Sequence, residues 1–247
     1  MMKLLKRSRT PALADRLVWQ CASLLLSYPD GAQLAAAEEL LDHVEGAAAE
    51  QLSATLAAVR ALGPMQAAQD YVATFDMRRR ATMYLTYWTA GDTRNRGQAM
   101  LAFAQAYRDA GAPAPADEAP DFLPVVLEFS ATVDAGVGRR LLTEHRVPLG
   151  VLHGVLRDVG SPYASAVAAV LATLPVATDE ELRRAQRLAA DGPPAEAVGL
   201  QPFTLTVPPK RAGEAGVGMN RAGEAGVGMN RAGEAGVGMN RAGEGGR

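Results

Sequence analysis

Cysteine is nearly absent. Cys21 is the single one in 247 residues, which excludes an internal disulfide and any zinc or iron–sulfur site built on a cysteine pair. It lies between Trp19 and Leu24 in an apolar run, where a small buried core residue is expected. Histidine is almost as scarce. His43, His145 and His153 form no His-x-x-x-His, His-Glu-x-x-His or Glu-x-x-His pair, so no metal site is expected and each reads as a solvated surface histidine. Neither sign of charge dominates: 25 Lys and Arg stand against 27 Asp and Glu, a net charge of -2. No long-range cationic field therefore draws the molecule to nucleic acid or an anionic membrane. No apolar run reaches the ~20 residues that span a bilayer. The basic start MMKLLKRSRTPALADRL lacks the apolar segment of a secretory signal, so a cytoplasmic chain without stable membrane insertion is expected. Gly136-x-Gly138 is followed by arginines and preceded by no strand, and neither a phosphate loop nor a Gly-x-Ser-x-Gly elbow occurs. No catalytic residue and no cofactor are expected, and an enzyme using a carboxylate pair is the weakest reading.

What the chain does have is apolar spacing at three and four residues, sustained from Leu13 to about Ala190. Leu13, Leu17, Cys21, Leu24 and Tyr28 line one helical face, which Pro29-Asp30-Gly31 ends. Further stripes follow at Leu34 to Val44, Leu52 to Leu62 (closed by Gly63-Pro64), Met65 to Phe75, and Met100 to Tyr107. The proline-rich segment 112–120 is a loop. After it, Asp121 is placed to cap a helix with Pro124 in its first turn. Leu141-Leu142, Leu149 to Leu156, and Val167 to Leu174 after a Ser161-Pro162 cap continue the pattern. Thr178 and Glu181 have capping-box spacing for a last helix through Leu188. No alternating strand pattern precedes Phe203 to Val207. The expectation is an all-α fold: a single globular helical bundle of nine to ten helices over 13–192, after a basic extension, 1–12.

From Pro193 the character changes. The decamer RAGEAGVGMN occurs three times from Arg211, followed by a truncated copy. It holds too little apolar surface to offset the entropy of ordering its glycines, so 193–247 is expected to be a disordered tail.

Residues 75–97, FDMRRRATMYLTYWTAGDTRNRG, hold five arginines and four aromatic side chains. Such a mixture suits stacking on single-stranded nucleic acid, which makes a helical nucleic-acid adaptor the competing reading. Gly91 and Asp92 divide the segment, however. Asp92 or Thr93 can cap a helix from about Arg94 through Tyr107, so the arginines form no continuous surface. Arg94 and Arg96 at that helix start make either an internal ion pair or an anion-accepting corner.

This segment, together with DEAPDFLPVVLEFSA, resembles the paired signature segments of the NarJ-type nitrate reductase molybdenum cofactor assembly chaperones, within the wider TorD/DmsD group. The opening LVWQCASLLLSYPD is similar to that family's first helix, and the resemblance covers roughly residues 13 to 190. It implies a TorD-like, all-α, cofactor-free chaperone and no nucleic-acid partner. The implied partner is the apo form of the respiratory nitrate reductase catalytic (alpha) subunit, bound through its N-terminus until the molybdenum cofactor is inserted. Contacts with cofactor-delivery proteins are also implied. Carried over by position, the first signature falls on Phe75, Asp76, Arg80, Tyr84, Gly91, Asp92, Arg94, Arg96, Gly97 and Gln98. The second falls on Pro120, Asp121, Leu123, Pro124, Leu127 and Glu128. Where the family often has histidine after the aspartate, this chain has Phe122, so that histidine's role does not carry over while an apolar contact does. The expected client-peptide site has Tyr84, Phe122 and Leu127 as floor and Asp92, Asp121 and Glu128 as receivers of basic residues, where the helix after Gly97 meets the helix after Asp121.

Overall fold

Helix α1, Leu13–Leu26, is the hub of the computed structural model, which describes residues 12–194 apart from Asp92, Ala114 and Ala116. The basic extension before Ala12 and the repeat-bearing tail, with Phe203 to Val207, lie outside the described residues. The apolar stripe of α1 buries Val18, Trp19, Cys21, Ala22, Leu25 and Leu26. It packs against α7 (Leu123–Thr132), α2 (Gly31–Leu41), α10 (Tyr163–Thr173) and α3 (Gly46–Leu62). Polar atoms tie the hub to its neighbours at chosen points. Trp19 Nε1 donates to Thr173 Oγ1 at 2.8 Å, Ser23 Oγ to the Pro124 carbonyl at 2.7 Å, and Arg16 Nε to the Ala131 carbonyl at 2.7 Å. Asp15 accepts from Arg139 of α8 (Ala135–Glu144) at 2.9 Å. Cys21 is buried, and burial pushes its thiol up to about 12.

The described residues hold eleven α-helices and no strand, so the all-α expectation stands with a helix more than its upper count. The short one is α5, Leu85–Ala90, ahead of α6, Arg94–Asp109. The remaining three are α4 (Pro64–Tyr71), α9 (Arg146–Asp158) and α11 (Asp179–Asp191). Local signals worked where expected: Thr93 Oγ1 accepts from the Asn95 N–H, and Thr178 with Glu181 forms the full capping box of α11. Gly63, at φ 73°, separates α3 from Pro64 at the start of α4.

Four local expectations are corrected. The first helix stops at Leu26, so Tyr28 leaves the core stripe and is 53% exposed. The stripe from Met65 widens into a π-helical turn at Val72–Asp76. Ser161 does not cap α10 with its side chain; its carbonyl accepts from the Ala164 N–H while its Oγ is buried without a partner. His145 is not a solvated surface residue: its ring lies 4.9 Å from that of Phe103, and Nδ1 donates to the Leu141 carbonyl at 2.9 Å. His43 is exposed, as expected, and His153 is half-buried.

Glycine sets the spacing of α7 and α8. A Cβ on Gly138 would stand 2.2 Å from Ser130 Oγ and 2.5 Å from Ser130 Cα, so a backbone shift is unavoidable. Gly138→Ala should therefore lose about 2 kcal/mol in denaturant unfolding. Burial lowers the His145 imidazole below its ordinary 6.5, with the bond to Leu141 opposing. Below that ordinary value the unfolded chain binds a proton that the folded chain does not, so stability falls as pH drops through 6.5 towards the lowered value. His153 is shifted the same way by burial. His145→Gln should reduce, without abolishing, the fall in Tm below about pH 6.5.

Candidate functional site

Two distant segments meet side by side near the start of α7. The Leu85 N–H donates to the Asp121 carbonyl at 3.1 Å and the Leu123 N–H to the Met83 carbonyl at 3.0 Å, an antiparallel bridge centred on Tyr84 and Phe122. Asp121 is fully buried, and its Oδ2 accepts from both the backbone N–H and the hydroxyl of Thr86, at 3.0 and 2.6 Å. It therefore does not cap α7, whose N-cap is Phe122 with no side-chain bond. The clasp sets the Tyr84 and Phe122 rings 5.3 Å apart, and the Arg96 guanidinium lies 5.3 Å from the Tyr84 ring on α6's behalf.

Beside this pair opens a cavity of about 470 Å3. Tyr71 and Phe75 furnish its aromatic floor, backed by Tyr163, with ring separations of 4.9 Å (Tyr71 to Phe75) and 5.0 Å (Phe75 to Tyr163). Tyr28 joins them edge-on, 5.6 Å from Tyr71. The π-helical turn brings Phe75 and the exposed Asp76 to the same opening, in keeping with the tendency of such turns to mark functional sites. Glu118 and Glu128 complete an acidic rim, and no Lys, Arg or His is among the described lining residues. The field is felt at Tyr84: burial first, then Glu118 and Asp121, raise its hydroxyl above the usual value, with Arg96 opposing. The hydroxyls of Ser23 and Ser27 donate to backbone carbonyls and Thr82 Oγ1 accepts from the Tyr84 N–H. Gln33 Oε1 is buried without a partner in the same wall. Chemically, the arrangement offers an apolar aromatic surface, carboxylates at its edge and one unpartnered acceptor.

Of the residues predicted for the site, Phe75, Tyr84, Phe122, Pro124 and Glu128 come together here. Leu123 and Leu127 do not: both are fully buried core residues, so Leu127 is no floor for a ligand. Asp121 turns Oδ2 to Thr86 while its buried Oδ1 has no hydrogen-bond partner, so it braces the clasp and presents no exposed carboxylate. Arg80 lines a different cavity, against α9 and α11. Arg94 and Gln98 are exposed on the first turns of α6, which contributes no lining residue and meets the groove's border only through Arg96 over the Tyr84 ring. Asp92 lies outside the described residues. The aromatic faces that would suit nucleobases are engaged elsewhere, Tyr84 with Phe122 and Arg96, and Trp88 in the interior. Sequence reasoning missed Tyr28, Gln33, Tyr71 and Glu118. Glu118 sits in the expected loop, within the quoted second segment but outside the positions carried over from it.

The pattern of the family described as nitrate reductase delta subunit matches residues 38–169. The chain is 59% identical over 157 residues to the nitrate reductase-like protein NarX of Mycobacterium tuberculosis, covering 64% of this chain and 24% of that protein. The chain thus spans about a quarter of NarX. It is 29% identical over 163 residues to the probable nitrate reductase molybdenum cofactor assembly chaperone NarJ of Bacillus subtilis, covering 64% of this chain and 89% of that one. For the Escherichia coli K12 nitrate reductase molybdenum cofactor assembly chaperone NarJ the identity is 28% over 148 residues, covering 58% and 63%.

Removing the buried carboxyl tests the clasp. Asp121→Ala should cost about 2 kcal/mol of stability, because it leaves the Thr86 N–H without its acceptor. Combined with Thr86→Val, the losses should fall short of additive in a double-mutant cycle read by urea unfolding.

Proposed function

The chain belongs to the nitrate reductase delta subunit family, and from that membership we propose that it is an assembly chaperone for a respiratory nitrate reductase. In the cytoplasm it binds the N-terminal peptide of the apo catalytic (alpha) subunit and holds that subunit while the molybdenum cofactor is inserted, before the complex attaches to the membrane. Its role is holding and not catalysis. Among the described residues no helix is long and apolar enough to cross a membrane.

The observation that carries the reading is the groove's pairing of an aromatic floor with Asp76, Glu118 and Glu128 at its rim and no basic lining residue. A short amphipathic segment buries its apolar face in such a groove, as helices do in the grooves of other carriers. Tyr28, Phe75, Tyr84, Phe122 and Pro124 take that face. The rim carboxylates meet basic side chains of the client, steering its approach and setting its direction in the groove. Arg96 acts on the client indirectly, by holding Tyr84 from behind, and Asp121 acts through the clasp.

Calorimetric titration of the catalytic subunit's N-terminal peptide into the full chain tests this. The paired reversal Glu118→Lys and Glu128→Lys should weaken binding about tenfold and flatten its dependence on salt, with the far-ultraviolet spectrum unchanged. Tyr84→Ala should weaken it by a similar factor at all salt concentrations, since it removes apolar contact. Equal affinity in all three proteins would place the peptide elsewhere.

A further inference from the structure

A second cavity, of about 500 Å3, lies between α9 and α11 and shares no lining residue with the aromatic groove. Its cations are all guanidinium groups: Arg80 from the 3-10 turn Arg79–Ala81, Arg146 at the start of α9 and Arg157 at its end. Two carboxyls also lie there, and both are engaged. Asp158 Oδ1 accepts from Arg157 Nη2 at 2.9 Å and Nε at 3.2 Å. Glu181 Oε2 accepts from the Thr178 N–H at 2.8 Å and hydroxyl at 3.0 Å as part of the capping box. Arg146 and Glu181 attract each other through space without a hydrogen bond between them. Arg146 Nη1 is buried and donates to nothing. A guanidinium N–H taken out of water without an acceptor is costly, so the geometry is that of a donor waiting for one.

The walls are apolar, built by Val147, Val151, Leu171 and Leu182. Gly154 opens room in them, since a Cβ there would meet nothing within 4 Å. A cavity of this volume between helices lies within the size range of a small-molecule site. Charge, the fork geometry of arginine and the apolar wall together specify the occupant. We propose that this cavity binds a phosphate ester with an apolar body, the phosphoryl oxygens accepting from Arg146 with Arg80 as second cation, and the body lying on the α9 and α11 wall. The site rests on α9, α11, Leu171 of α10 and Arg80, and stands whether or not the aromatic groove holds a peptide.

The test is titration calorimetry on the full chain with phenyl phosphate and inorganic phosphate at fixed ionic strength. Phenyl phosphate should bind one saturable site, several-fold tighter than inorganic phosphate because only the ester has a body for the wall. Arg146→Gln should weaken it about tenfold or more, and Arg146→Lys should fall between, keeping the charge and losing the fork. Arg183→Gln removes an exposed α11 arginine outside the cavity and should leave binding unchanged. Equal loss in Arg183→Gln, no loss in Arg146→Gln, or inorganic phosphate binding as tightly as the ester overturns the proposal. Should Arg146→Gln fail to fold, hydrogen exchange of the parent protein decides: phenyl phosphate slows exchange in α9 and α11 if the site is there, and leaves it unchanged if it is not.

Discussion

Asp121 carries no exposed surface, yet its Oδ2 takes two donors from Thr86, and the backbone on either side of it is bonded to Met83 and Leu85. A carboxyl in the interior is costly unless donors of fixed position meet it, and here they meet Oδ2 while the buried Oδ1 has no partner. Those donors come from the first turn of α5, so the carboxyl fixes α5 relative to the start of α7. Tyr84 and Phe122 then have no freedom to part, because each is the central residue of its half of the bridge. Pro124 follows within α7 and hands its carbonyl to Ser23, which locks the same corner onto the hub helix. The groove between α1, the π-helical turn and α7 is thus a by-product of one polar junction and the helices it anchors.

Much of this was legible in the sequence, and the division follows distance along the chain. Caps whose donor and acceptor lie two or three residues apart are local chemistry: Thr93 to Asn95 and Thr178 to Glu181 need nothing but their own turn. The apolar stripe of α1 was legible too, because its period of three to four residues is enforced by a core on one side. Asp121 was misread for the opposite reason. An aspartate two residues before a proline-containing first turn satisfies every local rule for a cap, but Thr86, 35 residues earlier in the chain, offers two donors where the helix offers one. Leu127 and Phe122 show the same limit. The motif gives their proximity in sequence, while only packing decides that Leu127 points into the core and Phe122 into the opening.

The arginine-rich run was the most ambiguous feature, and the fold resolves it by sending its members apart. Arg78 is extended, Arg79 and Arg80 lie in a 3-10 turn, and Arg80 ends at the cavity of α9 and α11. Arg96 lies over both Tyr84 and Tyr87, 5.3 and 5.9 Å from their ring centroids, where its charge counters the carboxyls near Tyr84. A cluster that reads as one cationic patch becomes a brace for an acidic groove and a wall of a basic cavity. The two openings thus differ in the charge of their lining, Asp76, Glu118 and Glu128 at one and three arginines with Asp158 and Glu181 at the other.

Phe122 shows what the groove asks of a ligand. Its ring lies tilted against that of Tyr84 and needs no hydrogen-bond partner, so the floor stays largely apolar from Tyr71 to Phe122. A histidine at that place would bring two ring nitrogens into a wall whose hydroxyls are already committed to backbone groups. With phenylalanine there, favourable free energy comes from covering aromatic surface, and the polar contribution is confined to the exposed rim. Rim charges remain hydrated and contribute little affinity by themselves. A purely basic peptide would therefore be attracted without being held, and a purely apolar one would gain contact without orientation. On the proposed function, a segment with both faces would satisfy floor and rim together, which makes amphipathicity, more than any single side chain, the property expected of the client.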